Sequence, residues 1–281
     1  MTSQLLRMLV KEYFKALYKS FIFRLSANNS FIIYLFHTYL YTPSKGSLAD
    51  FYNQISKAIP EIYVIQIGAN DGINHDPIHK YIKRDHWRGL LIEPQTAVFR
   101  NRLFPLYLKN RGIQMENVAI SDSISLVDMY RVSFCDDRWA NGLTTFDRDT
   151  LQKKVDDGDI ERIARKKGVT VPSSYSDYIE RFKVECKTFE FLRVKYEIGE
   201  VDVLQIDVEG YDFELIKLYD LSKNKPKVVV FESKHLSEPD YADAHNYFMK
   251  NGYELIRLKG DSVGLRTDFK LGMKILSKFK H

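Results

Sequence analysis

The chain has 281 residues, 44% hydrophobic and 14% aromatic, enough for one sizeable core with appendages but short of two full domains. Two cysteines, Cys135 and Cys186, exclude a disulfide framework and suit a reducing, cytoplasmic setting, and nothing in the composition marks a disordered or repetitive chain. The net charge of +5 resides entirely in residues 1–49, where Arg7, Lys11, Lys15, Lys19, Arg24 and Lys45 meet Glu12 alone. The 36 basic and 36 acidic residues that follow cancel, which argues against nucleic acid as a partner of the main body.

Residues 1–60 read as a helical extension. Arg7, Lys11, Lys15 and Lys19 recur every fourth residue beside Leu6, Val10, Tyr13, Phe14, Leu17 and Phe21, which predicts an amphipathic helix with a basic stripe. No signal-peptide pattern is present, and the apolar run 31–41 is shorter than the about 20 residues needed to span a bilayer. Two readings stay open for residues 1–45: peripheral contact with an anionic membrane, or packing on the main domain or on a second subunit of a homo-oligomer.

From residue 61 to 281 the pattern alternates. Apolar, β-branched runs at 63–67, 89–93, 117–121, 201–207 and 227–233 predict strands. Asp76 and Pro77 predict a helix start, with Ile78, Tyr81 and Ile82 facing inward, and a second, shorter helix is expected near 94–105. Leu215, Ile216 and Tyr219 mark the inner face of a helix after the fourth strand. Ser237 and Asp240 form a capping-box pattern opening a helix that ends at Gly252, with Tyr241, Ala244 and Phe248 inward. Runs 253–258 and 262–267 predict a closing hairpin. The charge-rich stretch 136–183 breaks the rhythm and reads as an insertion with one exposed helix, placed to cover a cleft. Strands alternating with helices imply a doubly wound, mostly parallel α/β sheet, whose ligands lie beyond the carboxyl ends of the strands.

The stretch YVIQIGANDG, from Tyr63 to Gly72, runs a buried strand into a glycine loop. Glycine lets backbone approach a ligand, and free loop amides suit a polar group. Gly68-x-x-x-Gly72 is not the Gly-x-Gly-x-x-Gly of pyrophosphate sites. Glu93 ends the second strand, where it can accept from ribose hydroxyls; Ser121 and Asp122 end the third; Asp207 ends the fourth. Polar residues in register along one rim describe a site for a nucleoside without a pyrophosphate and with an amino-acid tail, which is S-adenosylmethionine.

IQIGANDG, LLIEP, NVAIS, LQIDVEGYDFELI and VVVFESKHL, in that order over about residues 61 to 260, resemble the successive motifs of the FkbM family of S-adenosylmethionine-dependent methyltransferases. The resemblance implies a class I methyltransferase, Rossmann-like fold: a seven-stranded sheet with a reversed last strand. It also implies O-methylation, often of sugar hydroxyls in glycans, glycolipids or natural products. By the same resemblance Gly68, Asn70 and Gly72 hold the methionine end, Glu93 the ribose, Asp122 lies near adenine, and Asp207 lines the methyl-donor pocket. Gln66 departs from the acidic residue that many members carry, and a neutral amide cannot pair with the α-ammonium.

A sugar hydroxyl must lose a proton during attack, and the base candidates are Asp207, Glu209, Glu232 and His235. His235 titrates in the useful range. Glu209 has a structural alternative, accepting loop amides before Gly210. His75 is a weaker candidate that would otherwise cap the helix at Pro77. Asp207, Glu209, Asp212 and Glu232 form a magnesium alternative, no zinc spacing is present, and no metal is assigned. Arg138, Trp139 and Asn141 are candidates for gripping a sugar, or else for anchoring the insertion. Two other functions share features with this one. A nicotinamide-dependent oxidoreductase would use Glu93 and the sheet but lacks its third glycine, and a non-catalytic membrane-associated scaffold would account for Gln66 and the basic helix.

Overall fold

A computed structural model describes residues 3–280. Seven strands form the central sheet: β1 (Tyr63–Ile67), β2 (Arg88–Ile92), β3 (Ile113–Glu116), β7 (Val203–Ile206), β8 (Val228–Glu232), β9 (Tyr253–Leu258) and β10 (Asp261–Arg266). A second, three-stranded sheet holds β4 (Ala119–Ile120), β5 (Ser125–Val132) and β6 (Ile179–Lys187). The central order is β3-β2-β1-β7-β8-β10-β9, all parallel except β10, which runs antiparallel to both neighbours. This is the closing hairpin that the runs predict and the reversed strand that the resemblance implies, and strand order turns about β1 and β7, the switch point at which such sheets place their ligands.

The strand runs are apolar throughout because both faces are covered. Val64, Leu91, Val203, Val228 and Val230 face one layer, built from the helices Leu48–Ala58, His79–Asp85 and Lys270–Leu276. Ile65, Ile67, Leu90, Leu204, Ile206 and Phe231 face the other, built from Phe189–Lys195, Asp212–Tyr219 and Glu238–Lys250. Phe51, Tyr52 and Ile55 of the helix Leu48–Ala58 are fully buried in the first layer. Each such side chain contributes about 1.5–3 kcal/mol, so this part of the extension is built into the core.

The third strand falls elsewhere than the sequence suggests. Ile113–Glu116, not 117–121, pairs with β2, and Ala119 and Ile120 pair with β6 in the second sheet. The insertion differs too. The hairpin β5–β6 encloses three helices, Arg138–Asn141, Arg148–Asp156 and Asp159–Lys167, where one exposed helix was expected. Val132, Ala140, Leu151, Val155, Ile160 and Tyr178 pack into a core of their own.

At the N-terminus a helix runs Ser3–Ala27; the side chains of Leu6, Arg7 and Lys11, part of the expected stripe, lie outside the described residues. No helix among the described residues is long and apolar enough to cross a membrane.

Candidate active site

The turn after β1 is held from three sides. Gly68 and Ala69 donate to the Ile92 carbonyl at 3.0 Å each, and Asn70 N donates to Glu93 Oε2 at 2.7 Å. Gly68 sits against the backbone after β7: a Cβ there would lie 1.9 Å from the Asp207 carbonyl oxygen, at φ +78°. Glycine at 68 is thus required by the approach of two chain segments, whatever the ligand. Gly72, at φ +69°, faces Leu103 and Tyr107, which leave no room for a side chain. Asn70 itself takes a left-handed backbone, φ +48°, with its side-chain oxygen accepting from Asp71 N.

Below the loop, a buried chain of hydrogen bonds fixes it to the helical layer. Tyr107 donates its phenol to the Gly72 carbonyl at 2.8 Å, so its oxygen must accept from His79 Nδ1, 2.9 Å away. Burial drives the His79 pKa well down, so the ring is neutral and Nε2 is left to accept from the Ser26 hydroxyl at 3.3 Å. Asp76 caps the helix His79–Asp85 by accepting from Ile78 N and His79 N. His75, the other capping candidate, is exposed.

Glu93 is 2% exposed and spends its two oxygens on Asn70 N and Gln95 N. Burial pushes its pKa up to about 7 against the pull of those amides. Gln66 donates to Asp76 Oδ2 at 2.8 Å, while its own buried Oε1 has no partner among the described residues. Ser121 and Asp122 follow directly on β4: Ser121 N bonds to the Lys187 carbonyl, and Asp122 accepts from Ser121 and Ser123. The loop after β3 is instead tied down by Asn117, which donates to the Glu93 and Pro94 carbonyls.

The ends of β7 and β8 carry the acid–base groups. His235 Nε2 lies 3.2 Å from Glu232 Oε2 and 3.5 Å from Glu209 Oε2; Lys234 pairs closely with Glu232. One ligand atom from each of Glu209, Glu232 and His235 falls within 4.8 Å of the others. Glu209 occupies a left-handed backbone, φ +55°, and burial with the Glu232 charge pushes it up to about 7. Burial lowers His235, so the imidazole is neutral at physiological pH. Asp207 is raised by burial and then by Glu232. The structural duty considered for Glu209 falls to Asp212, which accepts from Val208 N, Gly210 N and Glu232 N.

Two roles at this rim escaped the sequence. Arg138, from the insertion, reaches to 3.8 Å from Asp71, and its charge pulls down the pKa values of Asp76, Glu93 and Asp207. Asp261, at the start of the reversed strand, is pushed up to about 6, first by burial and then by Asp207 and Glu232. Asn141 is buried, donating to the Asp136 carbonyl, and Trp139 packs into the insertion's core.

Asp71, Asp76, Glu93, Asp207, Glu209, Glu232 and Asp261 thus line one rim with Arg138 and Lys234 as counter-charges. Such an excess of carboxylates, most of them buried or half-buried, repels a pyrophosphate, which disfavours a dinucleotide, and attracts a ligand bearing a sulfonium and an ammonium. The orphaned Gln66 Oε1 is an acceptor in search of a donor at the base of this rim. S-adenosylmethionine meets both requirements.

Among solved structures the chain is similar to a precorrin-6y C5,15-methyltransferase from Geobacter metallireducens GS-15, with 10% identity over 74% of this chain and 71% of that one, TM-score 0.36. It is also similar to a delta-N METTL16 MTase domain, with 10% identity over 80% and 84%, TM-score 0.39. No curated protein matches. The methyltransferase FkbM domain matches residues 66–255, well over half of the chain, from Gln66 at the base of the site to β9. The protein belongs to the FkbM family of methyltransferases and uses S-adenosylmethionine.

Proposed function

We propose that the protein methylates a hydroxyl group of a carbohydrate, with His235 as general base. The observation that carries this reading is the contact of His235 with Glu232, 3.2 Å apart at the end of β8 beside Asp207. With its proton on Nε2, facing the Glu232 carboxylate, the neutral ring keeps a lone pair on Nδ1 for the proton that the hydroxyl sheds. Glu232 balances the imidazolium that results, and Lys234 pairs with the same carboxylate. Glu209, 3.5 Å from the same Nε2, adds a second carboxylate on that side of the ring and leaves Nδ1 to the acceptor. Asp207, Glu93 through Asn70, and the Gln66–Asp76 pair would hold the cofactor, Asp76 supplying the negative charge that Gln66 lacks. Bound S-adenosylmethionine supplies an electrophilic methyl carbon, and much of the rate is expected from alignment.

A platform for the acceptor lies next to this pair. Tyr211, two residues beyond Glu209, and Phe146 of the insertion are both exposed, with rings 6.4 Å apart and edge to face. Exposed aromatic rings beside a base suit the apolar face of a sugar, and they replace Trp139 in that role. The insertion, through Arg138 and Phe146, closes this side of the cleft. Incubation with methyl-labelled cofactor and a glycan extract, followed by mass spectrometry, tests the reading. Label in a sugar methyl ether is expected; label only in protein, nucleic acid or non-carbohydrate lipid overturns it.

A further inference from the structure

Exposed large apolar side chains are unevenly spread. Of the 23 among the described residues, 12 fall between Val10 and Leu40. On the helix Ser3–Ala27, Val10, Tyr13, Phe14, Leu17, Tyr18 and Phe21 fall within one arc of about 140° at 100° per residue. Among the described residues, Phe23 and Ala27 in the last turns join the core and Ser26 is fully buried. These attachments lie on the other side of the helix from that arc. Phe31, Ile32, Tyr39 and Leu40 of the following segment are exposed at 61–74%.

Charge surrounds this apolar surface. Residues 1–49 carry the protein's whole excess of +5. Between residues 94 and 115 the chain adds Arg100, Arg102, Lys109 and Arg111, all exposed, with no acidic residue. That stretch is in place beside the arm: Arg102 lies over the Phe23 ring, Lys109 bonds Asn28, and the neighbouring Phe104 and Leu108 are exposed as well.

We propose that this face docks on an anionic lipid bilayer, with the aromatic arc seated among the headgroups and the lysines and arginines against lipid phosphates. A second copy is a poor occupant, since pairing two arms would bring together two strongly positive surfaces. A basic polymer-binding groove would not need the apolar arc. Aromatic and aliphatic side chains flanked by cations suit the bilayer interface, where partial burial and electrostatic attraction add.

The test is co-sedimentation of the full-length protein with vesicles of phosphatidylcholine alone or with phosphatidylserine added. Binding is expected on the anionic vesicles, weakening with salt, and little on the neutral ones. The double variants Phe14→Ser/Phe21→Ser and Arg100→Glu/Arg111→Glu should each bind anionic vesicles at least about tenfold more weakly. Both should keep the wild-type melting temperature and cofactor affinity, since every altered side chain is exposed. Absence of wild-type binding at low salt overturns the proposal. So does a dimer that Phe14→Ser/Phe21→Ser splits, or retention on nucleic acid without retention on vesicles.

Discussion

The carboxyl rim of the sheet and the N-terminal arm are opposites in charge and in burial. At the rim, buried and half-buried carboxylates crowd one another, and their pKa values climb because they are partly withdrawn from water. On the arm, the cations lie with aromatic side chains left in solvent. The contrast shows what burial does to charge. At the rim it turns carboxylates into responsive groups poised for a cationic ligand.

The sharpest way to break the contrast is at the base. His235→Ala should lower the methyl-transfer rate by about 10²–10⁴-fold while leaving cofactor affinity nearly intact. Asp207→Asn should do the reverse, weakening cofactor binding first; calorimetry beside single-turnover assays separates the two. Next in size is Gly68→Ala, whose methyl group collides with the Asp207 carbonyl at a left-handed backbone. A loss of about 2–4 kcal/mol in denaturant stability is expected, with no activity left to measure if the loop shifts.

The rim also predicts a pH effect of definite sign. Glu93 and Glu209 sit near 7 when folded, against 4.5 as free side chains. Their contribution to stability is therefore complete below about 4.5 and is lost as pH rises to about 7. A cationic ligand favours their ionised forms, so binding of S-adenosylmethionine should release protons and tighten as pH rises from 5.5 to 7.5. Calorimetry in buffers of different ionisation enthalpy measures this, and Glu93→Gln should flatten the dependence. At the small end, Phe14→Ser should change melting by no more than about 0.5 kcal/mol equivalent, because nothing of the body covers that ring.

What could be read from the sequence was what local chemistry encodes. The glycine loop, the strand-end Glu93 and Asp207, and the closing hairpin follow from runs and turns that carry their own signals, while the reversal of the last strand was implied only by the family resemblance. Strand β3 did not, because it is an edge strand: Gln114 and Glu116 alternate with Ile113 and Met115, and its four residues make no continuous apolar run. NVAIS looked like a strand of the main sheet because Val118, Ala119 and Ile120 are buried where the two sheets meet. The insertion's core stayed hidden because Leu151, Val155, Ile160 and Ala164 are outnumbered by charges and split by the Gly158 turn. The pairing of Gln66 with Asp76, and the reach of Arg138 to Asp71, are products of chain closure and have no local signature.

The buried relay from Ser26 through His79 and Tyr107 to Gly72 has a practical consequence. Truncating the chain past residue 26 would cut the first link, free the imidazole and leave the phenol that props the turn after β1 without its brace. A shortened enzyme that lost both vesicle attachment and turnover would say nothing about whether the two are coupled in nature, since one cut removes a mooring and a foundation together. Only single replacements on the outer side of the arm can tell them apart.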